Sequence, residues 1–82
     1  MFNYDILPEH MRGAMRRYIE NRIAPGDFLT AVLNNDLMKS FALADHINRN
    51  RLHDFCYFLY NEAPAICYGS HEKVKAWLEG EE

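Results

Sequence analysis

The sequence predicts an all-α fold, a compact single-domain bundle of about five short helices within residues 1–82. Three observations favour this class. Apolar residues recur every three or four positions along most of the chain, no stretch alternates between apolar and polar residues, and Pro or Gly separates several periodic segments. The ends, residues 1–6 and 80–82, lack this periodicity and are expected to be frayed.

The first helix is predicted over residues 8–23, since proline suits the first helical turn, where its missing N–H is not needed. The apolar residues of this segment form one stripe at helical spacing: Leu7, Met11, Ala14, Met15, Tyr18, Ile19 and Ile23. After a break at residues 24–26, a second helix is predicted over residues 27–33. A helix of under three turns is marginal by itself, so this one must be held by burial of most of its surface.

A third helix is predicted from residue 37 to about residue 48. Its apolar side chains share one face, formed by Leu37, Phe41 and Ala44. A fourth helix is predicted over residues 51–62, and Pro64 ends it. The core stripe of the fourth helix is expected to hold Leu52, Phe55, Cys56, Leu59 and Ala63.

Residues 65–69 are expected to form a loop that contains Cys67. Ser70 is predicted to cap a fifth helix, because a serine hydroxyl accepts hydrogen bonds from unpaired N–H groups at a helix start. That helix runs to about residue 79 and turns inward its large apolar side chains, Val74, Trp77 and Leu78.

The composition limits the class of protein. The net charge of −3 is not that of a nucleic-acid-binding chain, and no apolar run approaches the length of a membrane span. The N-terminus lacks the pattern of a signal peptide, and two cysteines make no disulfide framework, so a cytoplasmic protein is expected. Hydrophobic residues make up 49% of the chain, which predicts an aromatic-rich core and a homo-oligomer that buries apolar surface of the first or fourth helix.

Polar residues concentrate where predicted helices meet. Asn35 and Asp36 follow the second helix, where they either cap the third helix or bind a polar ligand. Asp45 and Asn48 lie at i, i+3 on the apolar stripe of the third helix. They either pair with an arginine or a helix end, or they line the mouth of a pocket, because an unpaired buried polar group is destabilising.

Further ligand-binding candidates lie elsewhere in the chain. Tyr60 is placed to stack on a flat ligand, and Asn61 to hydrogen-bond the edge of that ligand. Ser70 opens a helix whose N–H groups suit an anion. Arg16 and Arg17 belong to a basic patch of the first helix that is suited to phosphate, although a solvated helix face is the commoner explanation of such a patch.

Two aromatic residues and the absence of catalytic motifs define the remaining expectations. Tyr57 and Phe58 fall off the core stripe of the fourth helix and are expected to form an exposed interface. His53 and Cys56 have no recognised metal-ligand spacing, and no nucleophile is placed beside a base. We therefore expect no enzyme activity, no metal and no cofactor.

Several segments together carry a resemblance. They are residues 16–20 (Arg-Arg-Tyr-Ile-Glu), 25–33 (Pro-Gly-Asp-Phe-Leu-Thr-Ala-Val-Leu), 35–37 (Asn-Asp-Leu), 58–64 (Phe-Leu-Tyr-Asn-Glu-Ala-Pro) and 67–70 (Cys-Tyr-Gly-Ser). Over roughly residues 8–78 the chain resembles a group of small proteins encoded by bacteriophages and prophage-bearing bacterial genomes, in which the last segment reads Cys-Trp-Gly-Ser. The resemblance implies a phage setting in the bacterial host cytosol, and it implies no particular activity.

These observations lead to two functional hypotheses. The first is a non-enzymatic binding protein of phage type that counteracts host defence by sequestering an anionic, nucleotide-like ligand. The residues expected to bind it are Arg16, Arg17, Asn35, Asp36, Asp45, Asn48, Tyr60, Asn61 and Ser70. The alternative is a protein-interaction module that binds and inhibits a host or phage protein through Tyr57 and Phe58.

Overall fold

The computed structural model describes residues 2–80, which form a helical bundle of 33 × 26 × 19 Å without β-strands in that range. The predicted all-α fold is confirmed. Two 3-10 turns cover Tyr4–Ile6 and Ala65–Cys67. The α-helices of the described chain are α1 (Glu9–Asn21), α2 (Asp27–Leu33), α3 (Leu37–Leu43), α4 (His46–Asn50), α5 (Leu52–Asn61) and α6 (His71–Leu78). Among them, none combines the length and apolarity that a bilayer-spanning segment requires.

The helix predicted from residue 37 to about residue 48 is two helices, α3 and α4. The backbone of Ala44 is extended, with ψ of 138°, which ends α3. The carboxylate of Asp45 then accepts a hydrogen bond from the Asn48 N–H at 2.7 Å and caps the start of α4. Asp45 therefore interrupts the helix, because its side chain satisfies an N–H that a continuous helix would pair with a backbone carbonyl.

The N-terminal segment is folded from Tyr4 onward, so the expectation of a frayed end is wrong for residues 4–6. Tyr4 is buried, its ring lies 5.4 Å from the ring of Phe58, and its hydroxyl donates to Glu20 Oε2 at 2.9 Å. Arg51 donates from Nη2 to the Ile6 carbonyl at 2.8 Å. Of the other predicted frayed residues, Met1 and residues 81–82 lie outside the described part of the chain.

The core is aromatic-rich and joins α1, α5 and α6. The Tyr18 hydroxyl donates to the Cys67 carbonyl at 2.6 Å, and Trp77 Nε1 donates to the Tyr18 carbonyl at 3.0 Å. The guanidinium of Arg22 lies 3.8 Å from the centre of the Trp77 ring and donates to the Trp77 carbonyl at 3.0 Å. The buried polar atoms of these rings are thus hydrogen-bonded, which burial requires.

The buried face of α5 is rotated relative to the predicted stripe. Phe55, Phe58 and Leu59 point into the core, whereas Cys56 is exposed. Phe58 is 0% exposed, so its predicted role in an exposed interface is wrong. Cys67, predicted in a loop, lies at the end of the 3-10 turn Ala65–Cys67 and is fully buried. Spacing alone permits both faces, because each recurs at i, i+3 or i, i+4.

Candidate functional site

Helix α3 buries a polar residue and exposes its large apolar residues. Its one buried residue is Ser40, which is 3% exposed, and the Ser40 hydroxyl donates to the Asp36 carbonyl at 2.7 Å. Its large apolar side chains face solvent: Leu37 is 66% exposed, Met38 75% and Phe41 50%. We call these three residues the α3 face. The prediction that Leu37 and Phe41 belong to a core stripe is therefore wrong, because both side chains are at least half exposed.

Local hydrogen bonds hold α3 against α2. The chain turns at Asn35, whose φ of +64° is a left-handed conformation that asparagine tolerates better than most residues. The Asp36 N–H then donates to the Ala31 carbonyl at 2.9 Å, and the Asp36 carboxylate accepts from the Lys39 N–H at 3.2 Å. The predicted capping role of Asp36 is confirmed. These bonds fix the angle at which the α3 face is presented.

A groove lies beside the α3 face, between the α2–α3 joint and α5. It consists of two adjoining hollows of about 50 and 260 Å³, which share Val32, Asn35 and Cys56. The smaller hollow is also lined by Asp36, Leu37, Ser40 and Leu52. The larger one is completed by Leu59, Tyr60, Tyr68 and Gly69. We call this feature the α2–α5 groove; the Gly69 N–H donates to the Leu33 carbonyl at 2.8 Å and so fixes its far wall.

Most predicted ligand-binding residues on helix ends are engaged by neighbouring backbone. The Ser70 hydroxyl accepts from the Lys73 N–H at 3.2 Å, so its predicted cap is confirmed. Asn61 Nδ2 donates to the Tyr57 carbonyl at 3.0 Å. Asp45 caps α4 and contacts His10 Nε2 at 3.0 Å. The hydrogen bond from the Asn48 N–H, together with His10, lowers the pKa of Asp45 below its usual value.

The predicted phosphate-binding arginines lie outside the groove. The Arg16 guanidinium sits 4.8 Å from the centre of the Tyr4 ring and lines a different cleft with Phe2, Asn3 and Asp5. Arg17 is an exposed residue of α1 and lines none of the clefts described here. The structure therefore brings together Asn35, Asp36 and Tyr60 from the predicted set, and it separates them from Arg16 and Arg17.

Asn48 is the least satisfied of the predicted residues. It is 3% exposed, and its Oδ1 has no hydrogen-bond partner; Asn34 Oδ1 is the other such buried atom in residues 2–80. Asn48 does not line the α2–α5 groove. A buried oxygen without a partner is destabilising by about 1–3 kcal/mol. Asn48 is the buried residue of α4 itself, so its position does not support the predicted role at the mouth of the α2–α5 groove.

Sequence reasoning missed the α3 face because it assigned Leu37 and Phe41 to the core. A usable signal was present. Asp36 and Asp45 are both helix-capping residue types, and they leave room between them for only two turns. A two-turn helix with apolar residues at Leu37, Met38, Phe41, Ala42 and Leu43 offers more apolar surface than one side of it can bury.

Tyr57, the other residue of the interface predicted on the fourth helix, is 51% exposed on α5.

The chemistry available at the groove is mainly apolar. Of the residues that line it in the described chain, Asp36 alone carries a charge and Cys56 alone a thiol. Residues 2–80 bring no three His, Cys, Asp or Glu side chains together in a metal-binding group. Comparisons with protein-family models, curated proteins and solved structures find no match. The function is therefore inferred from the α3 face and the α2–α5 groove.

Proposed function

We propose that this chain is a small non-enzymatic binding protein that, in the phage setting its sequence resembles, binds and inhibits a protein of the host or of the phage. The α3 face carries the proposal. Leu37, Met38 and Phe41 are each exposed by half or more on one seven-residue helix whose buried residue is a serine. Contiguous exposed apolar surface of this kind usually marks an interaction site.

The energetics favour a docked state of this face. Burial of apolar area contributes about 25 cal/mol per Å² removed from water. Phe41 is partly preorganised for contact, because the Arg49 guanidinium lies 4.9 Å from the centre of its ring and Arg49 also donates to the Ala44 carbonyl at 3.2 Å. A partner that covers Met38 and Phe41 would therefore meet side chains held by a capped helix and a cation–π contact.

The groove supports binding in preference to catalysis. Cys56 is the one nucleophilic thiol among the groove residues, and no histidine lines the groove beside it. A thiol acts as a nucleophile when a base or a positive charge favours its thiolate. The one charged residue that lines the groove in the described chain is Asp36, so the groove supplies neither a base of the histidine type nor a positive charge.

Sequestration of a nucleotide-like ligand is the second candidate. Tyr60 and Tyr68 line the larger hollow of the groove together with Asn35, an arrangement suited to a flat ring with hydrogen-bonding edges. The phosphate of such a ligand would meet Asp36 there, while Arg16 and Arg17 lie elsewhere. The groove thus favours the base of a nucleotide and disfavours its anionic part.

Affinity capture with matched variants tests the protein-binding proposal. Met38→Asp places a charge in the α3 face, and Ile23→Asp places the same charge at a 50% exposed position past the end of α1. Wild type and Ile23→Asp are expected to capture the same partner from a host lysate, and Met38→Asp to lose it. The purified partner should then bind Met38→Asp at least tenfold more weakly, and its activity should fall when wild type is added. Equal capture by both variants contradicts the proposal.

A thermal-shift screen against mononucleotides and cyclic nucleotides tests the second candidate. A ligand at 100 times its Kd stabilises the folded state by about 2.7 kcal/mol through mass action. Tyr60 is 83% exposed, so Tyr60→Ala should abolish a genuine shift without lowering the melting temperature of the free protein. A screen without any shift removes this candidate and leaves the protein-binding proposal untouched.

A further inference from the structure

We propose that one partner of the α3 face is a second copy of this chain, docked about a two-fold axis that passes beside Leu37 and Met38. The inference rests on the proposed function in one respect, namely that the α3 face is a protein-docking surface. It adds the identity of an occupant and the symmetry of the contact. Two properties of the surface favour a second copy: its area and its shape.

The exposed apolar area suits a dimer. Around the α3 face and the α2–α5 groove, Leu37 is 66% exposed, Met38 75%, Phe41 50% and Tyr60 83%. Taking large apolar side chains at roughly 150–250 Å² each, these four expose on the order of 500 Å². A stable interface buries about 800 Å² from each partner. The patch therefore supplies most of what each subunit of a dimer must contribute, and the groove floor adds to it.

The shape of the surface is self-complementary. Met38 and Phe41 are exposed on α3, and Leu37 belongs both to the α3 face and to the lining of the α2–α5 groove, together with Val32 and Cys56. In a two-fold contact the same patch serves both subunits, so exposed side chains and a groove on one surface can each receive the other. An antiparallel pair of α3 helices would direct Phe41 of each copy toward the groove of the other.

Sedimentation velocity of the whole chain from micromolar to millimolar concentration tests the dimer. We expect a mass of twice the 9.7 kDa chain for wild type and for the control Ile23→Asp, and a single-chain mass for Met38→Asp. Circular dichroism checks that each variant is helical. A wild-type chain that stays monomeric throughout, or a Met38→Asp variant that dimerises like wild type, overturns the inference.

The two proposals fail separately. A monomeric chain whose capture of another protein depends on Met38 overturns the dimer and supports the inhibitory function. A dimer that depends on Met38, in a chain that captures no other protein, supports the second copy as occupant and overturns the inhibitory function.

Discussion

The core formed by α1, α5 and α6 and the α3–α4 segment use similar residues in opposite ways. In the core, Tyr18, Phe55 and Phe58 are fully buried. In the α3–α4 segment the buried polar residues are Ser40 and Asn48, while the large apolar side chains are exposed, among them Met38, Phe41 and Ile47. The comparison indicates that the core supplies most of the stability, while the α3–α4 segment leaves large apolar side chains exposed.

The two regions also differ in what holds their helices. Helix α1 has thirteen residues and packs through aromatic side chains, whereas α3 and α4 have seven and five residues and begin at capping aspartates. Helices so short depend on caps and on outside contacts. We therefore expect the α3–α4 segment to open at lower free energy than the core, as elements with few buried apolar contacts generally do.

Truncation of one large side chain in each region gives the largest contrast. Phe58→Ala should lower the free energy of unfolding by about 3–5 kcal/mol, because it leaves a cavity in the core. Met38→Ala should change it by no more than about 0.5 kcal/mol in the monomer, because Met38 is 75% exposed. Urea denaturation at low protein concentration measures both values. Similar losses in the two variants would contradict the division between the regions.

Removal of the Tyr18 hydroxyl tests the contribution of a buried hydrogen bond to the stability of the core. Tyr18→Phe leaves the Cys67 carbonyl, which accepts from that hydroxyl at 2.6 Å, without its partner. We expect a loss of about 1–3 kcal/mol, the range for an unsatisfied buried acceptor. Tyr60→Phe is the control, since Tyr60 is 83% exposed and should show no measurable change. Equal unfolding midpoints for the two variants would contradict a structural role of the Tyr18 hydroxyl.

In the α3–α4 segment, a substitution of Asn48 should raise the free energy of unfolding, whereas the core substitutions above lower it. Because Asn48 Oδ1 is buried without a partner, Asn48→Leu should raise the free energy of unfolding by about 1 kcal/mol. In a domain of this size that corresponds to a rise of roughly 4–8 °C in Tm. Asn50→Leu, at an exposed position of the same helix, should give no such gain. A fall in Tm for Asn48→Leu would mean that the buried oxygen is satisfied in solution.

Alkaline pH should also destabilise the protein, and it should act on the core. Burial raises the pKa of Cys67 to about 11 from a value of 9.0, and burial also raises the pKa of Tyr4 and Tyr18. A raised pKa in the folded state means stability that is complete below pH 9 and lost as pH rises toward 11. Tm measured between pH 7 and 11 should fall less steeply in Cys67→Ala than in wild type. Identical slopes would exclude a contribution from this thiol.

The helices that sequence predicted well are those whose signals are local. Pro-Gly breaks, the caps at Asp36 and Ser70 and the i, i+4 repeats act within a few residues, so α2, α5 and α6 lie close to their predicted positions. The buried side of α5 was not predictable in this way. It is set by distant residues, since the ring of Tyr4 packs on Phe58 at 5.4 Å and the ring of Phe28 on Phe55 at 5.2 Å.

The candidate site was predictable only in part, for the same reason. Asn35 and Tyr60 were both selected as ligand-binding residues, and the fold brings them to one groove. Their neighbourhood depends on the Tyr68–Gly69 loop, which is anchored by a hydrogen bond from Gly69 to Leu33 across 36 positions of sequence. No spacing rule reports such a contact. Arg16 was assigned to the same site because of its charge, and the direction of α1 places it elsewhere.

The contact between Arg22 and Trp77 has a consequence for how the chain reaches its native state during synthesis. Two hydrogen bonds join α1 and its C-terminal end to α6. Arg22 and Trp77 are 55 positions apart in sequence, and Tyr18 and Trp77 are 59 positions apart. Contacts of such long sequence separation form late, because the intervening chain must first be ordered. Trp77 must therefore leave the ribosome before its hydrogen bonds with Arg22 and Tyr18 can form. Until then the side chains of the future core stay exposed in the nascent chain, whereas the α3 face is exposed both before and after folding.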